Sequence, residues 1–117
     1  MSGELSFFEI GVGDAERGRT FYESLFGWTF EPGPTEGYTI STPNLQGGMH
    51  GGDEGASPYL FFRVEDIDAA LERVRELGGK VEPGPDVDPD SESEYGRFAL
   101  CRDDQGSGFG LHQPPRA

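Results

Sequence analysis

The side chains of this chain that could carry out chemistry are few. It has two histidines and one cysteine among 117 residues. His50 follows Gly48-Met49 and His112 follows Gly110-Leu111, so the two histidines fall at equivalent places in two similar stretches. Histidine and carboxylate side chains can bind zinc, nickel or iron, and either can act as a general base when its pKa lies near neutral. These two histidines, together with Glu9, are the first candidates for a site.

Several kinds of chemistry find no support. Cys101 lies between Leu100 and Arg102 with nothing nearby in sequence to lower its pKa, which favours a structural thiol. No G-x-S-x-G or P-loop motif occurs, and Gly11-Val12-Gly13 lacks the third glycine of a dinucleotide-binding loop. The net charge of −13 disfavours nucleic acid and anionic membranes, and it either attracts cationic ligands or serves solubility alone. With no long apolar run and one cysteine, we expect a cytoplasmic protein.

An internal repeat organises the chain into two modules. Residues 7–14 and 59–66 both end in Val-x-Asp, at an offset of 52 given by Asp66 and Asp14. Each run precedes an amphipathic stretch, which predicts a helix capped by Asp14 in one module and by Asp66 in the other. The first predicted helix has an apolar face. That face comprises Ala15, Phe21, Tyr22, Leu25 and Phe26.

Short strands follow each predicted helix. In the first module they span about 28–30, 38–42 and 48–50, and in the second about 81–82, 95–102 and 109–112. The chain is therefore predicted as one α+β domain built from two tandem β-α-β-β-β modules, at about 5–50 and 58–113, joined by the glycine-rich linker 51–57. The acidic stretch 86–94 is predicted to be a solvated loop.

Strand alternation predicts which side chains face a binding site. Phe8, Ile10 and Val12 are uniformly apolar and should pack against the helix, which leaves Phe7 and Glu9 on the opposite face. By the same reasoning Tyr59, Phe61 and Arg63 face the binding site from the second module. An aromatic surface with a few polar groups is typical of a small-molecule site. The candidate ligand-binding residues are Phe7, Glu9, Trp28, His50, Tyr59, Phe61, Arg63 and His112; alternatively, Glu9 forms an ion pair with Arg63 or another arginine, and Trp28 is a packing residue.

The order of these segments resembles the vicinal oxygen chelate superfamily, which includes glyoxalase I, bleomycin-resistance proteins, extradiol dioxygenases and methylmalonyl-CoA epimerase. The resemblance is carried by Phe8-Glu9-Ile10, Leu25-Phe26-Gly27-Trp28, Val64-Glu65-Asp66, Gly78-Gly79-Lys80-Val81 and Phe109-Gly110-Leu111. It implies two modules whose curled mixed sheet surrounds a cleft, commonly in a homodimer. In the enzymes of the superfamily, that cleft holds a divalent metal bound by histidine and glutamate.

The resemblance also implies where the metal ligands would lie. The corresponding positions here are Phe7, Gly48, Tyr59 and Gly110, so the usual metal site is predicted to be absent and no cofactor is expected. A relocated site formed by His50, His112 and Glu9 is the alternative.

The favoured function is metal-free binding of a small organic molecule, aromatic or cationic, as in bleomycin-resistance proteins. The alternatives are a metal-dependent lyase, isomerase or dioxygenase with a displaced metal, a metal-free enzyme using Glu9 or His50 as the base, and a scaffold for dimerisation. A homodimer is expected in each case.

Overall fold

A computed structural model describes residues 3–33, 37–83 and 94–115. Contacts divide the chain into two compact units. The first unit is residues 7–59, and the second unit combines the residues before Phe7 with those from Leu60 onward. Most of the acidic stretch 86–94 lies outside the described residues.

The elements occur in the predicted β-α-β-β-β order, twice. The first set is β1 (Leu5–Gly11), α1 (Ala15–Phe26), β2 (Thr29–Pro32), β3 (Tyr38–Ser41) and β4 (Gln46–His50). The second set is β5 (Tyr59–Arg63), α2 (Ile67–Glu76), β6 (Lys80–Val81), β7 (Arg97–Arg102) and β8 (Gly108–Gln113). None of the described helices is long and apolar enough to cross a membrane. The strand bounds differ from the prediction by one or two residues.

Each unit contains a mixed four-stranded arrangement. In the first unit the order is β2-β3-β4-β1, with β1 parallel to β4 and the other pairs antiparallel. In the second unit the order is β5-β8-β7-β6, with β5 parallel to β8. The α+β class and the duplicated topology predicted from the sequence are confirmed.

The repeat extends to individual hydrogen bonds. Asp14 accepts from the Arg17 amide at 3.1 Å and Asp66 accepts from the Ala69 amide at 3.1 Å, so both predicted aspartates cap their helices. The Val12 amide donates to the carbonyl of His50 at 3.0 Å, and the Val64 amide donates to the carbonyl of His112 at 2.9 Å. The two histidines therefore occupy equivalent backbone positions.

Each unit has its own apolar core on the helix side of its strands. In the first unit the buried residues are Ile10, Ile40 and Met49, with Phe8, Val12, Tyr22, Trp28 and Phe30 packed against them. In the second unit they are Ile67, Ala99, Cys101 and Leu111. The predicted placement of Phe8, Ile10 and Val12 against the helix is confirmed.

Only part of the predicted apolar face of α1 packs against the core of the first unit. Phe21, Leu25 and Phe26 are 61%, 58% and 56% exposed, and no residue of this helix is fully buried. The helix contacts the core of the first unit along a seam that includes Gly18, which lies over Met49, and Tyr22. Side chains on either side of that seam and in the last turn point away from the core, although Phe26 stacks on Trp28 with ring centroids 4.7 Å apart.

Candidate functional site

A chain of four polar side chains lies within the first unit. Nδ1 of His50 is 2.6 Å from Oε2 of Glu9, and Nε2 of the same ring is 2.8 Å from Oδ2 of Asp53. The hydroxyl of Tyr59 donates to that same Asp53 oxygen at 2.7 Å. We call Glu9, His50, Asp53 and Tyr59 the His50 network.

Strand register and two glycines bring these side chains together. Parallel pairing places Glu9 beside Gly48 and Gly11 beside His50, so Glu9 and His50 project from the same face. A methyl group on Gly48 would collide with the Glu9 carboxylate. One on Gly11 would lie 2.8 Å from Cγ of Asp53 and 2.9 Å from Nε2 of His50. The absence of side chains at both positions therefore makes room for the network.

Asp53 reaches His50 through the segment that follows β4. The Gly52 amide donates to the carbonyl of Gly13 at 3.0 Å, and the Asp53 amide donates to the carbonyl of Val12 at 2.8 Å. These two bonds fix the backbone of the segment beside the end of β1. The carboxylate of Asp53 can then accept from both His50 and Tyr59.

The acceptors around His50 determine its protonation. Ionised carboxylates only accept hydrogen bonds, so a ring that bonds to one carboxylate through each nitrogen must carry both protons. Burial lowers the pKa of His50, but the hydrogen bonds to Glu9 and Asp53 outweigh this effect and leave it raised. The geometry and the pKa agree on an imidazolium ion.

The two carboxylates differ in their surroundings. Burial raises the pKa of Glu9, an effect that the hydrogen bond and charge of His50 offset in part. The Tyr59 hydroxyl and then His50 lower the pKa of Asp53. The side chains of His50, Glu9 and Asp53 are 36%, 25% and 33% exposed, so solvent and small molecules can reach all three.

The equivalent histidine of the second unit has a different environment. Nε2 of His112 lies 2.8 Å from the carbonyl oxygen of Tyr95, which can only accept, so Nε2 carries the proton. Nδ1 then accepts from the hydroxyl of Ser6 at 2.7 Å. The ring stacks on Phe98 with centroids 4.4 Å apart, and burial lowers its pKa. His112 is therefore a neutral, buried packing residue.

The structure unites some of the predicted site residues and separates others. Glu9, His50 and Tyr59 belong to the network, and the partner of Glu9 is His50 rather than an arginine. Phe7 and Phe61 lie outside the network and are buried, at 8% and 7% exposed. Trp28 belongs to the aromatic cluster beside α1, which matches the packing alternative.

Arg63 is exposed, and its backbone pairs with residues of the N-terminal segment: its carbonyl accepts from the Gly3 amide and its amide donates to the carbonyl of Glu4, both at 2.8 Å. Sequence reasoning missed Asp53, because it lies in the glycine-rich stretch 51–57 that was predicted to be only a linker. The sequence feature that could have indicated Asp53 is its spacing of three residues from His50.

The positions that correspond to the family's metal ligands do not fit a metal. Phe7, Gly48 and Gly110 offer no ligand atom, and the hydroxyl of Tyr59 is engaged with Asp53. Both ring nitrogens of His50 and both of His112 are hydrogen bonded, which does not support the relocated two-histidine site. Within residues 3–33, 37–83 and 94–115, no group of three or more histidine, cysteine or acidic side chains has the geometry of a metal centre.

Comparison with known proteins places the chain in a family. It is 30% identical over 123 residues to a glyoxylase-like domain-containing protein of Didymella fabae, across 86% of this chain and 94% of that protein. It is 30% identical to the anthracycline biosynthesis protein DnrV of Streptomyces peucetius, across 93% of this chain and 46% of DnrV. It is also 28% identical to CFP32 of Mycobacterium tuberculosis, across 97% of this chain and 47% of CFP32. The chain thus spans about half the length of CFP32 and DnrV.

Solved structures agree on the fold. Methylmalonyl-CoA epimerase from Mycobacterium tuberculosis superposes with a TM-score of 0.67 at 18% identity, covering 97% of this chain and 89% of that one. A hypothetical protein from Bacillus halodurans C-125 superposes with a TM-score of 0.70 at 12% identity, covering 98% and 96%. No family model matches the chain. The duplicated topology and the Didymella relative together show that this chain belongs to the glyoxylase-like proteins of the vicinal oxygen chelate superfamily.

Proposed function

We propose that this chain binds a small organic molecule without a metal, and that the His50 network is its polar contact. The observation that carries the proposal is the imidazolium ring of His50 held between two carboxylates, with about a third of its side chain exposed. Charged side chains in a specific hydrogen-bonded geometry and within reach of solvent are typical of ligand sites.

The charges of the network favour one class of ligand. Two carboxylates and one imidazolium leave a net charge of −1, and the protons of His50 and Tyr59 are already donated within the network. The remaining oxygen lone pairs can only accept. We therefore expect a ligand with a cationic or hydrogen-bond-donating group, in keeping with the overall charge of −13.

Acid–base catalysis is the second candidate. It is favoured by Glu9, whose pKa is raised by burial toward the range in which a carboxylate is an effective general base. His50, held as the imidazolium, would act as an acid rather than as a base. A metal-dependent lyase, isomerase or dioxygenase would need ligands other than those at the four family positions.

We also propose a homodimer. Support comes from the exposed side chains of Phe21, Leu25 and Phe26 on α1, because large apolar groups clustered on a surface commonly mark an interface. A cytoplasmic location is proposed as well, since a single buried cysteine suits a reducing compartment.

Native mass spectrometry of protein purified without chelator, before and after addition of Ni²⁺, Zn²⁺ or Fe²⁺, tests the main proposal. We expect no stoichiometric metal and an organic adduct that Glu9→Gln weakens. Glu54→Gln is the matched control, since Glu54 is exposed and outside the network. One metal per subunit, lost in His50→Ala, would refute the metal-free proposal; proton exchange into a carbon acid that Glu9→Gln abolishes would favour the enzyme.

A further inference from the structure

His50 connects two parts of the first unit that are otherwise held together by backbone bonds. On one side it bonds to Glu9 in β1, and on the other to Asp53 in the segment 51–58 that leads to β5. Asp53 in turn accepts from Tyr59 at the start of that strand. The side-chain contacts that hold the segment in addition to those backbone bonds therefore depend on what the His50 ring can donate.

A neutral imidazole cannot maintain both contacts. It has one N–H donor and one nitrogen lone pair, whereas an ionised carboxylate offers only lone pairs. Removal of one proton would place a ring lone pair against a carboxylate oxygen at 2.6 Å or 2.8 Å, and one contact must then open.

We propose that His50 is a proton-dependent latch: its imidazolium form holds the segment 51–58 to β1, and its neutral form releases one side. The inference rests on the two contacts of the ring and does not require the proposed ligand. It would give the first unit a segment whose order depends on pH.

The charged and titratable groups that face His50 in the first unit are those of the network. They are Glu9 from β1, Asp53 from the segment and Tyr59 from the start of β5, whose ring centroid is 5.9 Å away. The hydrogen bond to Asp53 raises the pKa of Tyr59, which keeps that hydroxyl protonated as His50 titrates. Among the described residues of the first unit, the charged groups that shift the pKa of His50 are the carboxylates of Glu9 and Asp53, which agrees with a proton held on the ring.

The direction of the pH dependence follows from the raised pKa of His50. A histidine whose pKa is higher in the folded than in the unfolded state stabilises the fold fully below the unfolded value of about 6.5. That contribution disappears as the pH rises through the folded value. The latch is therefore closed below the unfolded pKa and opens as the pH rises through the pKa of His50 in the folded state.

Imidazole nitrogen NMR on the full chain tests the latch directly. The chain has only two histidines, so two-bond ¹H–¹⁵N spectra recorded from about pH 5.5 to about pH 9.5 report each ring separately. We expect both nitrogens of His50 to be protonated at pH 7, and His112 to remain the neutral Nε2–H form. Glu9→Gln and Asp53→Asn should each lower the titration midpoint of His50 by about one pH unit, whereas Glu54→Gln should not.

Hydrogen exchange of the wild type supplies a second measurement that needs no variant. The protection factor of the Asp53 amide, which bonds to Val12, should fall as His50 loses its proton. The Val64 amide, which bonds to the carbonyl of His112, should keep its protection and is the internal control, because burial lowers the pKa of His112 whereas that of His50 is raised. A neutral His50 at pH 7, or Asp53 protection that stays constant through the His50 titration, would overturn the proposal.

Discussion

Gly11→Ala is expected to break the His50 network while leaving the backbone in place. Gly11 lies in β1 with an ordinary negative φ, so alanine is sterically allowed there. The added methyl would collide with the Asp53 carboxylate and lie 2.9 Å from Nε2 of His50. Both are ends of side chains that can move aside, so the cost is the loss of the contacts to Asp53.

The size of the effect follows from those contacts. A hydrogen bond to a charged group contributes about 1.5–3 kcal/mol, which we reduce to about 1 kcal/mol because His50 and Asp53 are about one-third exposed. The Tyr59 contact adds about as much. Replacing glycine by alanine also restricts the unfolded chain, which raises the free energy of unfolding by about 0.4–1 kcal/mol. The expected net loss in free energy of unfolding is about 1 kcal/mol.

Gly13→Ala is the matched control. Its methyl would meet the nearest atom, Cβ of Glu54, at an ordinary 3.5 Å, so only the gain in the unfolded state remains. The two variants should differ by about 2 kcal/mol, the sum of the two lost contacts, because the gain from alanine is common to both. Urea unfolding, followed by the fluorescence of Trp28, the only tryptophan, measures the free energy of unfolding of the first unit in each variant. Equal stabilities, with the His50 titration unchanged in Gly11→Ala, would refute the reasoning.

Three further results are expected. Ile40→Ala, at a fully buried position, should lose about 2–5 kcal/mol of unfolding free energy in the same urea assay. Gly110→Ala should lose about 1–3 kcal/mol because its methyl would overlap the buried ring of Phe61, whereas Gly108→Ala, with nothing within 4 Å, should stay within about 0.5 kcal/mol of wild type. Leu25→Lys should convert a homodimer into a monomer in sedimentation at micromolar concentration, and a wild type that is already monomeric would contradict the proposed assembly.

Local rules were sufficient to predict most of the fold. The Val-x-Asp repeat, the aspartate caps and the alternation along Phe8, Ile10 and Val12 each depend on residues a few positions apart. The structure shows each of these three features where the sequence predicts it. The packing of α1 was harder to predict, because the width of the contact depends on how closely Gly18 approaches Met49, which no pattern within the helix records.

The site required contacts between residues that are distant in sequence. Glu9 and His50 are 41 residues apart and meet only through the parallel pairing of β1 with β4. Asp53 lies in the stretch 51–57, whose glycines predict a linker and do not indicate a functional side chain. The difference in environment between His50 and His112 could not be predicted either. It depends on Ser6 and Tyr95, which are not next to either histidine in sequence.

One unit is continuous in sequence and the other is not, which has a consequence for folding during synthesis on the ribosome. The first unit is the unbroken stretch 7–59, which also contains all four residues of the His50 network, and the whole stretch has been synthesised by Tyr59. The second unit combines residues before Phe7 with residues from Leu60 onward, and Ser6 bonds to His112 across 106 positions. Because this contact cannot form until His112 has been synthesised, we expect Ser6 to reach its native contact later than the residues of the His50 network.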